Sequence, residues 1–130
     1  MLEIENLKTN FNTYDGVVKA LNGVNLKIED GEIFGLVGET GSGKSVTCYS
    51  ALQLLPKAGE VVDGIIKLNG EDITNASDER LREIRGGEIG IIFQDPLSAL
   101  NPVMTVNEQI GEILVLHQDV ELQKLALEKE

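Results

Sequence analysis

Apolar and polar residues alternate through "LEIENLKT", with Leu2, Ile4 and then Leu7 set against polar neighbours. A period of two predicts a half-buried strand. After the polar turn "NTYDG" the alternation returns in "VVKALNGVNLKIED", where Val24, Leu26 and Ile28 oppose Asn25, Lys27 and Glu29. The opening third is thus predicted to be β-rich and mostly antiparallel. Asp30-Gly31 is a hairpin signal, and "EIFGLV" beyond it predicts a continuous apolar strand buried on both faces.

A helical pattern then runs through "SVTCYSALQLL", with Cys48 as a packing residue, and Pro56 is expected to stop it. "GEVVDGIIKLNG" predicts two short strand segments or one bent strand, ending at the Asn69-Gly70 turn. "SDERLREIRGG" carries the marks of a short helix. Ser77 is its cap, Asp78 and Glu79 lie at its positive end, Arg82 and Arg85 at its negative end, and Gly86 stops it. "EIGIIF" predicts a second buried strand, and "QDPLSALNP" a proline-bounded loop. Thr105 and Glu108 have capping-box spacing ahead of a helix that puts Val106, Ile110, Ile113 and Leu114 on one face. "ELQKLALEKE" is helical in pattern.

Composition narrows the picture. At 130 residues with 42% hydrophobic and 25% charged, the chain has a globular make-up of one-domain size. Its net charge of −11, from 22 acids against 11 bases, lacks the basic face that a duplex nucleic-acid binder presents. The single cysteine, Cys48, excludes an internal disulfide framework and suits a reducing compartment. No basic segment followed by an apolar stretch marks a signal peptide, and no run approaches the roughly 18 apolar residues of a membrane span. The lone His117 has no companion His or Cys for a metal site.

The chemistry lies between the apolar run and the first predicted helix. Residues 38–45, Gly-Glu-Thr-Gly-Ser-Gly-Lys-Ser, fill the pattern G-x-x-x-x-G-K-[ST] completely. Gly38, Gly41 and Gly43 let backbone N–H groups turn toward phosphate oxygens with no Cβ in the way, while Glu39, Thr40 and Ser42 complete the loop. The helix that follows adds unpaired N–H donors and the positive end of its dipole. Lys44 is placed for the β- and γ-phosphates, and the Ser45 hydroxyl for Mg²⁺. Asp95 could be mistaken for the metal-binding acid at the end of a strand. Gln94 holds that place and Pro96 follows the acid, so Gln94 is the functional candidate and Asp95 a turn residue.

"VGETGSGKSVT" and "IIFQDPLSALNP" together resemble the ATP-binding subunits of ABC transporters, most closely those that import dipeptides, oligopeptides or nickel. The resemblance runs from Leu2 to about Leu116. It implies an α/β P-loop NTPase core with an N-terminal antiparallel β subdomain. Residues 1–31 would form the antiparallel region, 32–104 part of the P-loop core with the Q-loop, and 105–130 the start of a helical subdomain. It implies ATP and Mg²⁺ as ligands. Residues 38–45 would cradle the phosphates, with Val46 and Thr47 continuing near the nucleotide. Gln94 would be the Q-loop glutamine that positions Mg²⁺ or the attacking water. Phe11 would stack on adenine, with Tyr14 as the alternative. The implied partners are transmembrane permease subunits and a second ATPase subunit, at the cytoplasmic face of the cell membrane, with no nucleic acid.

"RGGE" at 85–88 lacks the lead residues of the family's signature motif and precedes the Q-loop, so it is expected to be a helix stop. No run of four apolar residues followed by Asp-Glu occurs after Lys44. The chain is therefore expected to be the N-terminal part of a longer ATPase, inactive by itself. The rival readings are a soluble ABC ATPase of DNA repair or translation, and another P-loop NTPase such as a kinase or GTPase. The acidity and the Q-loop extension oppose the first, and the early antiparallel strands oppose the second.

Overall fold

A computed structural model of the chain describes residues 1–95, 97 and 100–117. The alternating segments form an antiparallel hairpin, β1 (Leu2–Thr13) and β2 (Gly16–Ile28), closed by a turn in which the Thr13 hydroxyl donates to Gly16 O at 2.7 Å. Residues that follow the first helix return to the same sheet as β3 (Gly59–Leu68) and the short β4 (Glu71–Asp72), giving the order β2-β1-β3-β4. Of the two β3 alternatives, one bent strand is found. The bend lies where β1 and β3 slip register around Asn6 and Gly64. Asn6 takes a left-handed φ of 49°, its N–H donating to Asn25 Oδ1 at 2.9 Å, and Gly64 sits opposite at φ 103°.

The first helix, α1 (Lys44–Ala51), lies against β1 and β2. Leu7, Leu21, Ala51, Leu52, Ile66 and Ile73 form the buried core of this part. The helix ends at Ala51, well short of Pro56. Gln53 adopts φ 50°, its N–H donates to Ser50 O, and Leu54 N–H reaches back to Tyr49 O at 2.8 Å. This is a Schellman ending with glutamine in the place glycine usually takes. The Gln53 side chain offsets the backbone strain, because its Nε2 donates to Ile73 O and Thr74 O, both at 2.7 Å. Cys48 is exposed on α1, against the expectation that it packs.

Two expected strands are absent among the described residues. Residues 32–37 form no strand, with Ile33 and Val37 100% and 92% exposed, and in residues 88–93 Ile92 is 93% exposed. A buried strand needs neighbouring backbones on both edges. β1 already spends its two edges on β2 and β3, and apart from an isolated Arg85–Ile89 bridge no described segment pairs with either apolar run.

The second helix, α2 (Asp78–Glu83), is capped as its sequence predicts, with the Ser77 hydroxyl accepting from Arg80 N–H at 3.2 Å. The α-helical turn closes at Glu83, earlier than Gly86. Gly86, at φ 94°, then reverses the chain so that its N–H meets Ile89 O at 2.9 Å. The chain divides into two compact units, Met1–Leu81 and the residues from Arg82 on. In the second, α3 (Val106–His117) opens with the expected capping box: Thr105 N–H and hydroxyl both donate to Glu108 Oε2, at 2.7 and 2.8 Å. Val106, Ile110, Ile113 and Leu114 are exposed. The His117 side chain and the helical pattern of residues 121–130 lie outside the described residues. No described helix is long and apolar enough to cross a membrane.

Several carboxylates are held below the ordinary range. The Lys8 ammonium and the Gly64 N–H lower Asp63, the Arg80 guanidinium lowers Glu71, and the Thr105 N–H and hydroxyl lower Glu108. A depressed value in the folded state contributes stability above the unfolded value, and this is lost as pH falls through the folded one. Whole-chain acidification also relieves the repulsion of an acidic protein, so a difference measurement is needed. The Tm advantage of the wild type over Glu71→Gln should be small, present at neutral pH, and gone once pH falls well below about 4. Thermal melts of both proteins from pH 7 to 2 would check it; an advantage that grows on acidification would be wrong in sign.

Candidate functional site

The loop at 38–43 turns on its glycines. Its residues 38–42 are exposed, and Ser42 N–H donates to Glu39 O at 3.2 Å to tighten the turn. Gly41 and Gly43 have φ of 85° and 93°, a region in which residues with a Cβ are strained. A Cβ on Gly43 would come within 2.7 Å of Leu21 Cδ2, so this glycine also lets the helix start close against β2.

Gly43 is the N-cap of α1, and it offers no side-chain hydrogen bond. The first turn also contains no acid. Lys44, Ser45 and Val46 occupy that turn, where an α-helix leaves N–H groups without intrahelical acceptors. Ser or Asp at the cap would ordinarily satisfy them. Here the helix start keeps its donors and its positive dipole end for something else. The Lys44 Nζ bends over the loop, donating to Gly38 O and Glu39 O at 2.6 Å each and to Ser42 Oγ at 3.3 Å. Cation, open N–H groups and the Ser45 hydroxyl, itself exposed, converge on one short stretch.

The other candidates are placed as follows. Phe11 is half-buried on β1, paired with Gly59 of β3, and its ring covers that glycine. Tyr14 sits at the hairpin turn and is fully exposed. Gln94 is exposed in a bend of the second unit. Beside it Asp95 serves the turn, as its sequence context predicts, Oδ1 accepting from Leu97 N–H at 3.2 Å. Pro96, Ser98 and Ala99 lie outside the described residues. Among the described residues no group of three His, Cys, Asp or Glu could hold a metal ion.

Sequence reasoning missed three supports of the loop. Leu21 abuts Gly43, Gln53 ties the far end of α1 to the chain after β3, and Thr9 bonds Ser50 beneath the helix. Only the helical spacing of Thr47, Ser50 and Ala51, all buried, hinted at the contact face.

A strand hairpin, a glycine loop and a helix with an uncapped N-terminus thus stand together in the first unit. The family model described as ABC transporter matches residues 21–129, and the chain belongs to that family. It is 45% identical, over 131 aligned positions, to the dipeptide transport ATP-binding protein DppD of Bacillus subtilis, covering 100% of this chain and 38% of that protein. The oligopeptide transport ATP-binding protein OppD of the same organism is 43% identical, over 92% of this chain and 34% of its own length. The chain thus spans a little over a third of these relatives. Among solved structures, the dimeric structure of MJ0796, a bacterial ABC transporter cassette, matches with a TM-score of 0.80 at 27% identity, covering 98% of this chain and 55% of that one. A post-hydrolysis state of MJ0796 bound to ADP and Pi matches at 0.78 and 27% identity.

Proposed function

We propose that residues 38–46 bind the phosphates of ATP with Mg²⁺, and that the chain is the nucleotide-binding portion of the energising ATPase subunit of an ABC importer for peptides. The observation that carries the phosphate reading is the uncapped start of α1 with the Lys44 ammonium folded over it. An anion satisfies both at once, and a neutral ligand would leave the cation and the dipole unused. Lys44 would exchange its carbonyl partners for β- and γ-phosphate oxygens. Ser45, a neutral oxygen donor of the kind a hard cation takes, would be the protein's ligand to Mg²⁺ in this loop. When bound, Mg²⁺ neutralises charge on the phosphate oxygens. Gln94 is proposed as the Q-loop glutamine that positions Mg²⁺ or the attacking water.

Phe11 is the proposed adenine platform, since it projects from the same sheet that carries α1. Tyr14 remains the second choice, exposed but on a turn. The names of DppD and OppD support a peptide cargo; transmembrane permease subunits would be the partners, with this chain peripheral at the cytoplasmic face of the membrane. The dimeric cassette supports a second ATPase subunit as the other partner. Net charge of −11 keeps nucleic acid out of this reading.

Calorimetry with ATP and AMP in the presence of Mg²⁺ tests the proposal. ATP should bind at least about tenfold more tightly, because AMP cannot reach Lys44 with β- and γ-oxygens. Equal affinities would overturn it.

A further inference from the structure

Of the buried polar side chains, Thr47 bonds within its own helix, to Gly43 O at 3.0 Å, whereas Thr9 and Ser50 bond to each other across elements. Both are fully buried, and their hydroxyl oxygens are 2.9 Å apart. Two hydroxyls in an apolar core are costly unless paired. Their pairing also has one geometry, whereas the surrounding leucine and alanine contacts tolerate sliding.

The sheet row beneath this bond is informative. Thr9 of β1 stands opposite Leu21 of β2, and Leu21 is the residue against Gly43 at the start of α1. One row of the sheet therefore holds the helix at two points, Gly43 through Leu21 and Ser50 through Thr9, about two turns apart. Two points set the direction of the helix over the sheet, which one would leave free to swing. Two residues beyond Thr9, on the same face of β1, comes Phe11. Its ring and Leu55, just past α1, both crowd Gly59.

We infer that Thr9 and Ser50 are positioning residues, which set the phosphate loop at the start of α1 in register with the base platform on β1. The inference rests on the nucleotide reading above. It assigns the pair to ligands that carry both a base and a triphosphate, and leaves the loop's own grip on phosphate unaffected.

The test titrates ATP and inorganic tripolyphosphate, each with Mg²⁺, into the 130-residue chain and its Thr9→Val, Thr9→Ser and Ser50→Ala variants. The wild type should prefer ATP. Thr9→Val and Ser50→Ala should each lower ATP affinity about three- to tenfold, a part of what base stacking contributes, and leave tripolyphosphate within about twofold. Thr9→Ser, which keeps the hydroxyl, should restore ATP binding, and the Thr9→Val, Ser50→Ala double variant should be no worse than either single. ATP and tripolyphosphate falling together would mean a structural role only and would overturn the inference, as would unchanged ATP binding in both single variants. A wild type that binds neither probe would instead overturn the nucleotide reading, and this inference with it.

Discussion

Lys44→Ala should weaken ATP binding about 10- to 150-fold while the chain stays folded. A charge-assisted hydrogen bond is worth about 1.5–3 kcal/mol, and each 1.4 kcal/mol is tenfold in affinity. The loss falls on the bound state, since in the free chain the Lys44 ammonium rests on Gly38 O and Glu39 O, partners it would leave for phosphate oxygens. Stability should change little, since these acceptors belong to an exposed loop outside the core. Calorimetric titration of both proteins, with a thermal melt as the folding control, checks the prediction. Undiminished ATP affinity would remove the loop from the site.

Gly64→Ala should cost about 3 kcal/mol or more of stability. The residue has φ 103°, and a Cβ there would lie 2.6 Å from Leu7 Cα and 2.8 Å from both Asn6 O and Glu5 O. Those neighbours are backbone of the central strand and cannot turn aside as a side chain would. A non-glycine residue in such a conformation costs about 1–3 kcal/mol by itself, and forcing β1 and β3 apart adds to it. Gly70→Ala isolates the second contribution. Gly70 has φ 86° but nothing within 4 Å of its Cβ position, so it should lose only the conformational part. Urea unfolding of the two variants should therefore give unequal losses. Equal ones would mean that the bend in β3 can open without consequence.

Both predictions depend on features of different visibility. The shape of the loop at 38–45 was legible because it is local: the glycines, Lys44 and the helix start lie within eight residues. The same holds for the Thr105–Glu108 capping box and the Asp95 turn, where each partner lies within three positions of the other. The β1–β2 hairpin was legible from alternation and a short polar turn. In each case the interacting groups are neighbours in the chain, so spacing alone implies contact.

Where partners are distant, pattern could state a preference but not its outcome. Residues 32–37 and 88–93 are apolar enough for buried strands, yet burial needs edges that no described segment supplies to them. The end of α1 depends on Gln53, which accepts a left-handed backbone because Ile73 and Thr74, some twenty residues on, receive its side chain. Gly64 is indispensable only because β1 passes beneath it, and Thr9 meets Ser50 only because the helix crosses that strand. Local pattern was enough for the glycine loop, the helix starts and the first hairpin, whose energies are spent between near neighbours. Which apolar runs are covered, where the strand bends and how α1 is seated on the sheet emerged only in the folded chain, because those energies exist only once remote segments touch.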